Sequence, residues 1–442
     1  MAETTTMDKL VSLCKRRGFI YQSSEIYGGL TGAWDYGPLG VELKNNIRDF
    51  WWKEMTQMHD NIVGLDASIL MHPKVWEASG HVSNFTDPMV DCRQCKSRFR
   101  TDMIDLQGAC PTCGTSGSFT EPRNFNLMFS THMGAVHDDS SIVYLRPETA
   151  QGIYVDFKNV VQSSRVKIPF GIAQVGKSFR NEITTKNFIF RSCEFEQMEM
   201  QYFCKPGTDE QWFEFWKDQR MSFYHAMGIR PDHLRWHQHG EDELAFYAKE
   251  AYDIQYLFPM GWQELEGVHN RTDYDLSQHQ KFSGKDLSYL EQETKERYVP
   301  YVVETSAGLT RNVLMVLSDA YEEQELEGGD VRTVLHFHPS VAPVTVAVLP
   351  LVKKDGIGDY AEKLERELRE DFATFYDQSG AIGRRYRRMD EIGTPYCVTV
   401  DYQTLDDNTV TLRFRDTMEQ VRVSVDELGE RIRRETKAYK RQ

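Results

Sequence analysis

The spacing of hydrophobic and polar positions divides the chain into segments with different periods. Apolar side chains recur every three or four positions over Val41–Met58, which predicts an amphipathic helix. A β-like run follows at Ile62–Leu70. Farther along, Thr208–Met227 predicts an aromatic-rich helix, and Tyr252–Leu276 predicts two strands that meet around Pro259.

The stretch Gly171–Phe203 predicts a hairpin whose two strands are joined by a short polar turn at Thr184–Asn187. Because alternate side chains of a strand share a face, we expect one wall to carry two guanidiniums, an aromatic ring and two carboxylates. Such a wall suits phosphate or carboxylate oxygens and the stacking of a base. A hairpin with cross-strand ion pairs is the alternative interpretation. The side chains concerned are Arg180 and Glu182 on the first strand and Arg191, Phe195 and Glu199 on the second.

A phosphate-loop pattern also occurs within this stretch, as Gly171-x4-Gly176-Lys177-Ser178. A functional phosphate loop needs a glycine-rich turn and a helix that begins at the Lys-Ser pair. Here the spacer 172–175 is β-like and contains no glycine, and residues 178–183 have no helical period. We therefore interpret the match as accidental.

Composition and charge narrow the class of protein. The 442 residues suffice for two or three domains, and 40% are hydrophobic, 27% charged and 12% aromatic, as in ordinary soluble proteins. No apolar run of about 18 residues occurs and the N-terminus lacks a signal-peptide core, so we expect a cytoplasmic protein with no membrane partner. The net charge of −15 argues against a general nucleic-acid coating protein, but it is compatible with an enzyme that confines its basic residues to a patch.

Four of the eight cysteines form two CxxC pairs separated by fourteen residues. In a cytoplasmic chain this spacing predicts tetrahedral coordination of Zn²⁺ by four thiolates. Such a structural site has no open position, so we do not expect zinc to take part in the chemistry. A degenerate pair of knuckles without metal is the alternative. The predicted ligands are Cys92, Cys95, Cys110 and Cys113.

The last hundred residues follow a different pattern. His338–Pro343 predicts a linker, and strands then alternate with helices to the C-terminus, which predicts an α/β domain with a mixed sheet. Four arginines around Tyr386 form a candidate patch for phosphates and stacked bases, with a solvated helix face as the alternative. They are Arg384, Arg385, Arg387 and Arg388.

Phe179-Arg180-Asn181-Glu182, followed by Arg191 and Phe195, resembles motif 2 of the class II aminoacyl-tRNA synthetases. The sequences of residues 179–183 (FRNEI) and 194–199 (EFEQME) are most similar to those of the glycyl enzymes of the homodimeric, bacterial type. The resemblance covers essentially the whole chain.

Three other segments extend the resemblance. Residues 41–73, ending at Pro73, are similar to motif 1, and residues 146–151 (RPETAQ) are similar to a substrate-side segment in which Pro147 holds Glu148 rigidly. A strand at Tyr298–Val303, a small-residue turn that carries Arg311, and a helix from Asn312 are similar to motif 3.

The resemblance implies an α+β protein. Residues 1–339 would form a class II catalytic domain with an antiparallel sheet flanked by helices, and residues 340–442 an α/β anticodon-binding domain. A zinc-ribbon-like insertion would occupy 92–113, and a further insertion about 205–295. Motif 1 forms the dimer interface in this family, so the resemblance also implies a homodimer through residues 41–73.

The implied reaction joins the carboxylate of glycine to the α-phosphate of ATP, releases pyrophosphate and passes the acyl group to the 3′ end of tRNA(Gly). Arg180 and Arg311 are the implied catalytic residues: Arg180 bridges the carboxylate and the α-phosphate, while Arg311 and Phe195 sandwich the adenine. Mg²⁺ would accompany ATP, held by Glu304 or Glu264. The implied ATP-binding residues are Arg180, Asn181, Glu182, Phe190, Arg191, Phe195, Glu264, Leu265, Gly308 and Arg311.

Glycine offers a binding site only its carboxylate and its ammonium group. A selective pocket must therefore bind the ammonium and leave no room for a β-carbon, which makes an editing domain unnecessary. The resemblance implies an acidic trio around the ammonium, Glu148, Glu199 and Glu304, with Ser306 in the side-chain space. The implied glycine-binding residues are Arg100, Glu148, Phe195, Glu196, Gln197, Glu199, Glu304, Ser306 and Gly308.

Two other functions fit parts of this pattern. One is a class II synthetase for serine, threonine or proline. The acidic trio and the sequence of motif 2 argue against this alternative. The other is an inactive synthetase-like accessory protein, which we expect to have lost the motif arginines. Arg180, Arg191 and Arg311 are all present.

Overall fold

The computed structural model describes residues 6–441 except 184, 186, 246 and 327, and it leaves the side chain of residue 102 undescribed. The predicted turn at Thr184–Asn187 therefore lies partly outside the described residues. Within these ranges, no helix combines the length and the apolar character that a membrane crossing requires.

The helices of the described residues fall into an N-terminal set and a C-terminal set. The first set is α1 (Thr6–Arg17), α2 (Pro38–Gln57), α3 (Lys74–Ala78), α4 (His81–Asn84), α5 (Ala150–Ser164), α6 (Asp209–Ala226), α7 (Tyr274–Ser283) and α8 (Leu309–Ala320). The second is α9 (Ile357–Leu368), α10 (Ile382–Glu391), α11 (Tyr402–Asp407) and α12 (Val425–Ala438).

The strands form two large sheets and several small ones. Up to residue 204 they are β1 (Ile20–Gln22), β2 (Trp34–Tyr36), β3 (Ile62–Gly64), β4 (Thr86–Asp91), β5 (Arg98–Arg100), β6 (Arg123–Asn126), β7 (Ser130–His132), β8 (Ile142–Tyr144), β9 (Phe170–Phe179) and β10 (Glu194–Cys204). Up to residue 335 they are β11 (Leu234–Gln238), β12 (Glu250–Phe258), β13 (Gly261–Thr272), β14 (Tyr289–Leu290), β15 (Arg297–Tyr298), β16 (Tyr301–Gly308), β17 (Tyr321–Glu325) and β18 (Val331–Leu335). The C-terminal strands are β19 (Val346–Pro350), β20 (Thr374–Tyr376), β21 (Tyr396–Val400), β22 (Thr409–Phe414) and β23 (Gln420–Ser424).

A seven-stranded sheet in the order β11-β12-β13-β16-β10-β9-β3 forms the centre of the molecule. All neighbouring pairs are antiparallel except β3 and β9. The apolar faces of α2, α6 and α8 pack on one side, where Trp51 and Trp216 are fully buried. Helices α5 and α7 cover part of the other side through Phe157 and Leu276. The sheet thus has helices on both faces, with the cleft described below on the uncovered part.

A second sheet of five strands, in the order β20-β19-β21-β22-β23, follows in the C-terminal region. Its first three strands are parallel and the last two pair antiparallel, because α9 and α10 connect the former and a tight hairpin connects the latter. Helices α9 and α12 cover one face. The predicted α+β class, with an antiparallel sheet and a C-terminal α/β domain, is confirmed.

The predicted hairpin differs from the structure in its connection. Strand β9 ends at Phe179 and β10 begins at Glu194, so Arg180, Glu182 and Arg191 lie in the connecting segment 180–193 rather than on strands. This segment leaves the ladder because the Asn181 N–H donates to the carbonyl of Leu127 and a 3-10 turn at 188–190 buries its apolar residues. The phosphate-loop match lies inside β9, and Lys177 and Ser178, where a helix would have to begin, continue this strand to Phe179.

Three further boundaries differ from the prediction. The strand predicted at Ile62–Leu70 ends at Gly64. In motif 3, β16 continues to Gly308 without the predicted turn, because β10 on one side and β13 on the other form backbone hydrogen bonds with it. Residues 205–295, predicted to be an insertion, supply three strands of the central sheet, so this part of the chain belongs to the sheet itself.

Candidate active site

A cleft opens on the central sheet above β10, β13 and β16, and it collects most of the predicted ATP- and glycine-binding residues. Thirteen of the seventeen line it: Glu148, Arg180, Glu182, Phe190, Arg191, Phe195, Gln197, Glu199, Glu264, Glu304, Ser306, Gly308 and Arg311. The segments that supply them are far apart in the chain, so the sheet is what brings them together.

The floor of the cleft follows from strand alternation. Phe195, Gln197 and Glu199 are every second residue of β10, and Glu304 and Ser306 alternate in the same way on β16. The register places Glu199 opposite Ser306, whose hydroxyl donates to Glu199 Oε1 at 2.7 Å. Ser306 and Gly308, which were predicted to lie in a turn, are thus strand residues on the floor of the cleft.

A β-bulge in β13 determines which of its side chains reach the cleft. Ile254 pairs with Glu266 and Gln255 with Glu264, so one residue is extra on the β13 side. Because of this shift, Glu264 lines the cleft while Glu266 is buried on the other side, where its carboxylate accepts from Arg220 Nε at 2.6 Å. Simple alternation would have placed both carboxylates on one face.

The arginines stand at the rim of the cleft, each against an aromatic ring. The Arg180 guanidinium lies 5.2 Å from the ring centre of Phe195 and 5.3 Å from that of Phe85, and its Nε donates to the carbonyl of Pro147 at 3.1 Å. Arg311, in the first turn of α8, lies 4.5 Å from the ring of Phe190 and 3.2 Å from the Glu264 carboxylate. Rings hold both guanidiniums at positions facing the cleft.

Arg191 and Glu182 face each other across the connecting segment, with nitrogen and oxygen 3.9 Å apart. Arg191 remains substantially exposed, and its side chain is available to an anion entering from solvent. The predicted position on a strand face is wrong for Arg191, yet the segment carries it to the same cleft.

Glu199 is the carboxylate with the least electrostatic compensation in the cleft. It is 2% exposed and accepts from Thr149 Oγ1 (2.6 Å), Ser306 Oγ (2.7 Å) and Gln197 Nε2 (3.0 Å). No ion pair to Glu199 forms within the part of the chain that the structure describes. Burial, with the neighbouring carboxylates, raises its pKa to about 8. A cation that entered the cleft here would favour release of the Glu199 proton and pair with the carboxylate, which has no other cationic partner among the described residues.

The other two carboxylates of the predicted trio, Glu304 and Glu148, already have basic side chains beside them. Glu304 accepts from His269 Nδ1 at 2.8 Å and from Arg271 at 2.9 Å, and these cations hold its pKa below the ordinary value although burial opposes them. Glu148 lies 3.3 Å from His81 Nε2 and accepts from Gln151 at 2.9 Å. The three carboxylates therefore differ in their capacity to receive a further positive charge.

Four predicted residues do not line the cleft. Glu196 lies on the opposite face of β10 and pairs with Lys44, as strand alternation next to Phe195 requires. Leu265 is the residue following Glu264 at the bulge and is buried in the core. Arg100 pairs with Asp87 at 3.0 Å in the cysteine-containing region, and the N–H of Asn181, which follows Arg180, donates to the carbonyl of Leu127.

Sequence reasoning missed the residues that support the cleft from below. Arg271 is 2% exposed and joins Asp275 (2.8 Å) to Glu304, and Tyr247 covers its guanidinium at 3.8 Å. Thr149 and His269 were missed as well. The polar segment 269–275, in which His269, Arg271, Asp273 and Asp275 alternate with other residues after an apolar stretch of strand, is the signal that indicates such a cluster.

The four predicted metal ligands come together in the small sheet region of β4, β5 and β6. Their sulfur atoms all lie within 4.8 Å of one another, with 3.7 Å between Cys92 and Cys113 and between Cys95 and Cys110. A tetrahedral Zn–S₄ centre with bonds of about 2.3 Å has sulfur atoms about 3.8 Å apart. The four thiols therefore fit Zn²⁺.

The arginine patch of the C-terminal region divides into two kinds of residue. Arg385 is buried and donates to the carbonyls of Pro350 and Asp377, so it supports the fold rather than a surface. Arg388 pairs with Asp377 and is partly exposed. Arg384 is exposed and Arg387 partly exposed, on the outer side of α10.

Comparisons with known proteins agree with this geometry. Residues 134–320 match the family model described as the tRNA synthetase class II core domain (G, H, P, S and T), and residues 345–435 match the anticodon binding domain. The chain is 66% identical to a glycine–tRNA ligase of Treponema denticola, over 99% of this chain and 98% of that protein. It is 60% identical to a protein of the same name from Borreliella burgdorferi (98% of each) and 58% identical to one from Treponema pallidum (98% and 100%).

Proposed function

The chain belongs to the glycine–tRNA ligase family of class II aminoacyl-tRNA synthetases, and we propose that it activates glycine with ATP and transfers it to tRNA(Gly). The resemblance expected from the motifs is thereby confirmed at the level of the family. The observation that carries the substrate assignment is Glu199, a buried carboxylate without a cation at the bottom of a cleft whose rim bears Arg180 and Arg311.

Glycine fits this arrangement because it carries one positive and one negative group, and the cleft offers a carboxylate at its bottom and a guanidinium at its rim. Its ammonium group pairs with Glu199 and replaces the missing cation, and its carboxylate extends toward Arg180. Ser306, which is bonded to Glu199, occupies the space that a β-carbon would need. A side chain larger than hydrogen is therefore excluded by contact rather than by an editing step.

The arginines supply charge where the activation step develops it. Attack of the glycine carboxylate oxygen on the α-phosphate forms the mixed anhydride and breaks the bond to pyrophosphate. Arg180 neutralises the α-phosphate oxygens, and Arg191 binds the outer phosphates from the exposed side. Arg311 and Phe195 enclose the adenine, with Glu182 at its edge; this requires Arg311 to exchange its contact with Phe190 for the base. The second step breaks the anhydride and forms the ester to the terminal ribose.

Class II synthetases use ATP together with Mg²⁺, which neutralises the phosphates when bound. Glu264 is the better candidate ligand, since its side chain is half-exposed beside Arg311 and faces the cleft. Glu304 is occupied by His269, Arg271 and Gln201, so it is the weaker of the two predicted ligands. Zn²⁺ would be held by the four cysteines, where it would stabilise the small sheet and take no part in the reaction.

Two further features of the proposal concern macromolecular partners. We assign tRNA phosphate contacts to Arg384, Arg387 and Arg388, and leave Arg385 out because its guanidinium is occupied by backbone carbonyls. We also propose a homodimer through residues 41–73, a region in which Met58 and Leu70 are exposed. The proposed domains, 1–339 and 340–442, agree with the separation of the two large sheets.

Charging of tRNA(Gly) with labelled glycine tests the proposal. The wild-type chain should charge the tRNA, and Arg180→Ala should lower the rate of glycine activation by about 100-fold or more, as for the loss of a charge-stabilising group. Arg123→Ala is the matched control, because Arg123 is an exposed arginine of the cysteine region. Equal rates in the two variants would contradict the role of Arg180, and absence of charging in the wild type would contradict the function.

A further inference from the structure

Glu199 is the inner end of a buried chain of hydrogen bonds that starts in the segment after β3. The Ala67 N–H donates to Gln174 Oε1 at 2.8 Å, and Gln174 Nε2 donates to the carbonyl of Thr149 at 3.1 Å. The Thr149 hydroxyl then donates to Glu199 Oε2 at 2.6 Å. Thr149 and Gln174 have no exposed surface, so water does not compete for these bonds.

The hydroxyl of Thr149 departs from the usual behaviour of its position. Thr149 is the N-cap residue of α5, where a threonine oxygen normally accepts from a backbone N–H of the first helical turn. Here no such capping bond forms, and the hydroxyl is turned toward Glu199. The helix thus forgoes a stabilising cap, which indicates that the hydroxyl has a different function.

The backbone around Thr149 is held tightly enough to define the position of its hydroxyl. Arg146 donates to the carbonyl of Lys177 at 2.7 Å and to that of Ala67 at 2.8 Å. A Cβ added to Gly152 would lie 2.5 Å from the Cβ of Ala67, and one added to Gly176 would collide with Arg146. These close approaches hold the start of α5 against β9 and against the segment that follows β3.

We propose that Thr149 is a positioning residue that holds the Glu199 carboxylate where it receives the ammonium group of the amino-acid substrate. The inference rests on the proposed function, which makes glycine the partner of Glu199. Ser306 and Gln197 both donate to Oε1, and Thr149 is the donor to Oε2. Without the hydroxyl, Oε2 loses its partner and the charged carboxylate becomes less favourable, because a donated hydrogen bond stabilises the charged form.

Thr149→Val tests this, since valine keeps the shape of the side chain and removes the donor. We expect the KM for glycine in ATP–pyrophosphate exchange to rise about 10- to 100-fold, the range for a hydrogen bond to a charged group, while the KM for ATP stays unchanged. Thr149→Ser keeps the hydroxyl and should restore most of the affinity. Thr305→Val is the matched control, because Thr305 is a fully buried strand residue whose hydroxyl bonds to nothing among the described residues.

A pH profile separates this role from a loss of packing. Glycine binds the charged form of Glu199, so kcat/KM for glycine should fall as the pH drops through about 8, the raised pKa of that carboxyl. Thr149→Val should move this fall in kcat/KM, the acidic limb of the pH profile, to higher pH, and Thr305→Val should not.

Each outcome bears on a different claim. If Thr149→Val and Thr305→Val give the same KM and the same pH limb, the inference is wrong while the function stands. If the wild type shows no glycine-dependent exchange, the proposed function itself fails. Should the valine variant not fold, Thr149→Cys, a weaker donor of similar size, should show a smaller shift in the same direction, and no shift would overturn the inference.

Discussion

Replacing Glu199 by glutamine should weaken glycine binding and at the same time stabilise the protein at alkaline pH. The charge of Glu199 is buried against neutral donors and other carboxylates, and its pKa is about 8 against an ordinary value of 4.5. At 1.36 kcal/mol per pH unit, this difference corresponds to a cost of up to about 5 kcal/mol when the group is ionised in the folded protein. Glutamine keeps the shape and removes the cost.

The direction in which wild-type stability changes with pH follows from the protons bound by the folded and unfolded states. Between pH 4.5 and about 8 the folded protein retains a proton on Glu199 that the unfolded chain releases, so wild-type stability falls over this interval. Above pH 8 the full cost applies, and Glu199→Gln should exceed the wild type in free energy of unfolding by a few kcal/mol. Near pH 4.5 the two should be equal. Denaturant unfolding at pH 5 and pH 8.5 measures the difference.

The same variant should lose glycine-dependent exchange. Removing one partner of a buried, hydrogen-bonded charge pair costs about 2–5 kcal/mol, so kcat/KM for glycine should fall by about 30-fold or more. Glu365→Gln is the control: Glu365 is buried in the C-terminal domain, where Arg369 and Thr374 lower its pKa against the effect of burial. That variant should lose stability and keep its glycine KM. A Glu199→Gln protein that is less stable at pH 8.5, or that keeps its glycine KM, would refute the reasoning.

Two further predictions concern selectivity and the metal. Ser306→Gly should enlarge the space beside Glu199 and raise the kcat/KM for alanine relative to glycine by about tenfold, within the range for one methylene; unchanged discrimination in exchange assays would count against this pocket. Native mass spectrometry should find one zinc per chain, and Cys110→Ser should remove it and lower the melting temperature, because metal binding contributes to folding. A metal-free wild type with normal stability would disprove the zinc site.

The sequence predicted the main elements because their signals are local. The amphipathic period of α2 and the alternation along β10 depend only on neighbouring residues; α2 appears close to its predicted bounds, and β10 ends close to where predicted although it begins later, at Glu194. The motif residues also identified the cleft, since Arg180, Phe195 and Arg311 carry the family pattern whatever elements hold them.

What the sequence did not predict depends on pairing between distant strands. The bulge at Glu264 sends Glu266 to the opposite face, and only the register with β12 reveals it. The residues Thr-Ser-Ala-Gly of β16 have weak strand propensity, yet pairing on both sides keeps them in the sheet. The burial of Arg385 similarly follows from carbonyls of another strand and loop.

The residues that hold the side chains of the cleft in place were not predicted, for a related reason. Arg271 and Thr149 resemble ordinary surface and capping residues in the sequence, and their roles follow from contacts with Glu304 and Glu199, which are far away in the chain. Likewise, the sequence groups three carboxylates as equivalent. In the structure, Glu304 lies beside Arg271 and His269, and Glu148 lies beside His81, whereas Glu199 has no basic partner among the described residues. Only the positions of these basic side chains distinguish the three carboxylates.

The central claim is that this cleft activates glycine, and amino-acid-dependent ATP–pyrophosphate exchange tests it most directly. Each of the twenty amino acids is supplied in turn with ATP, Mg²⁺ and the full-length protein. Exchange with glycine alone is the predicted result. Exchange with a different amino acid, or with none, would contradict the account.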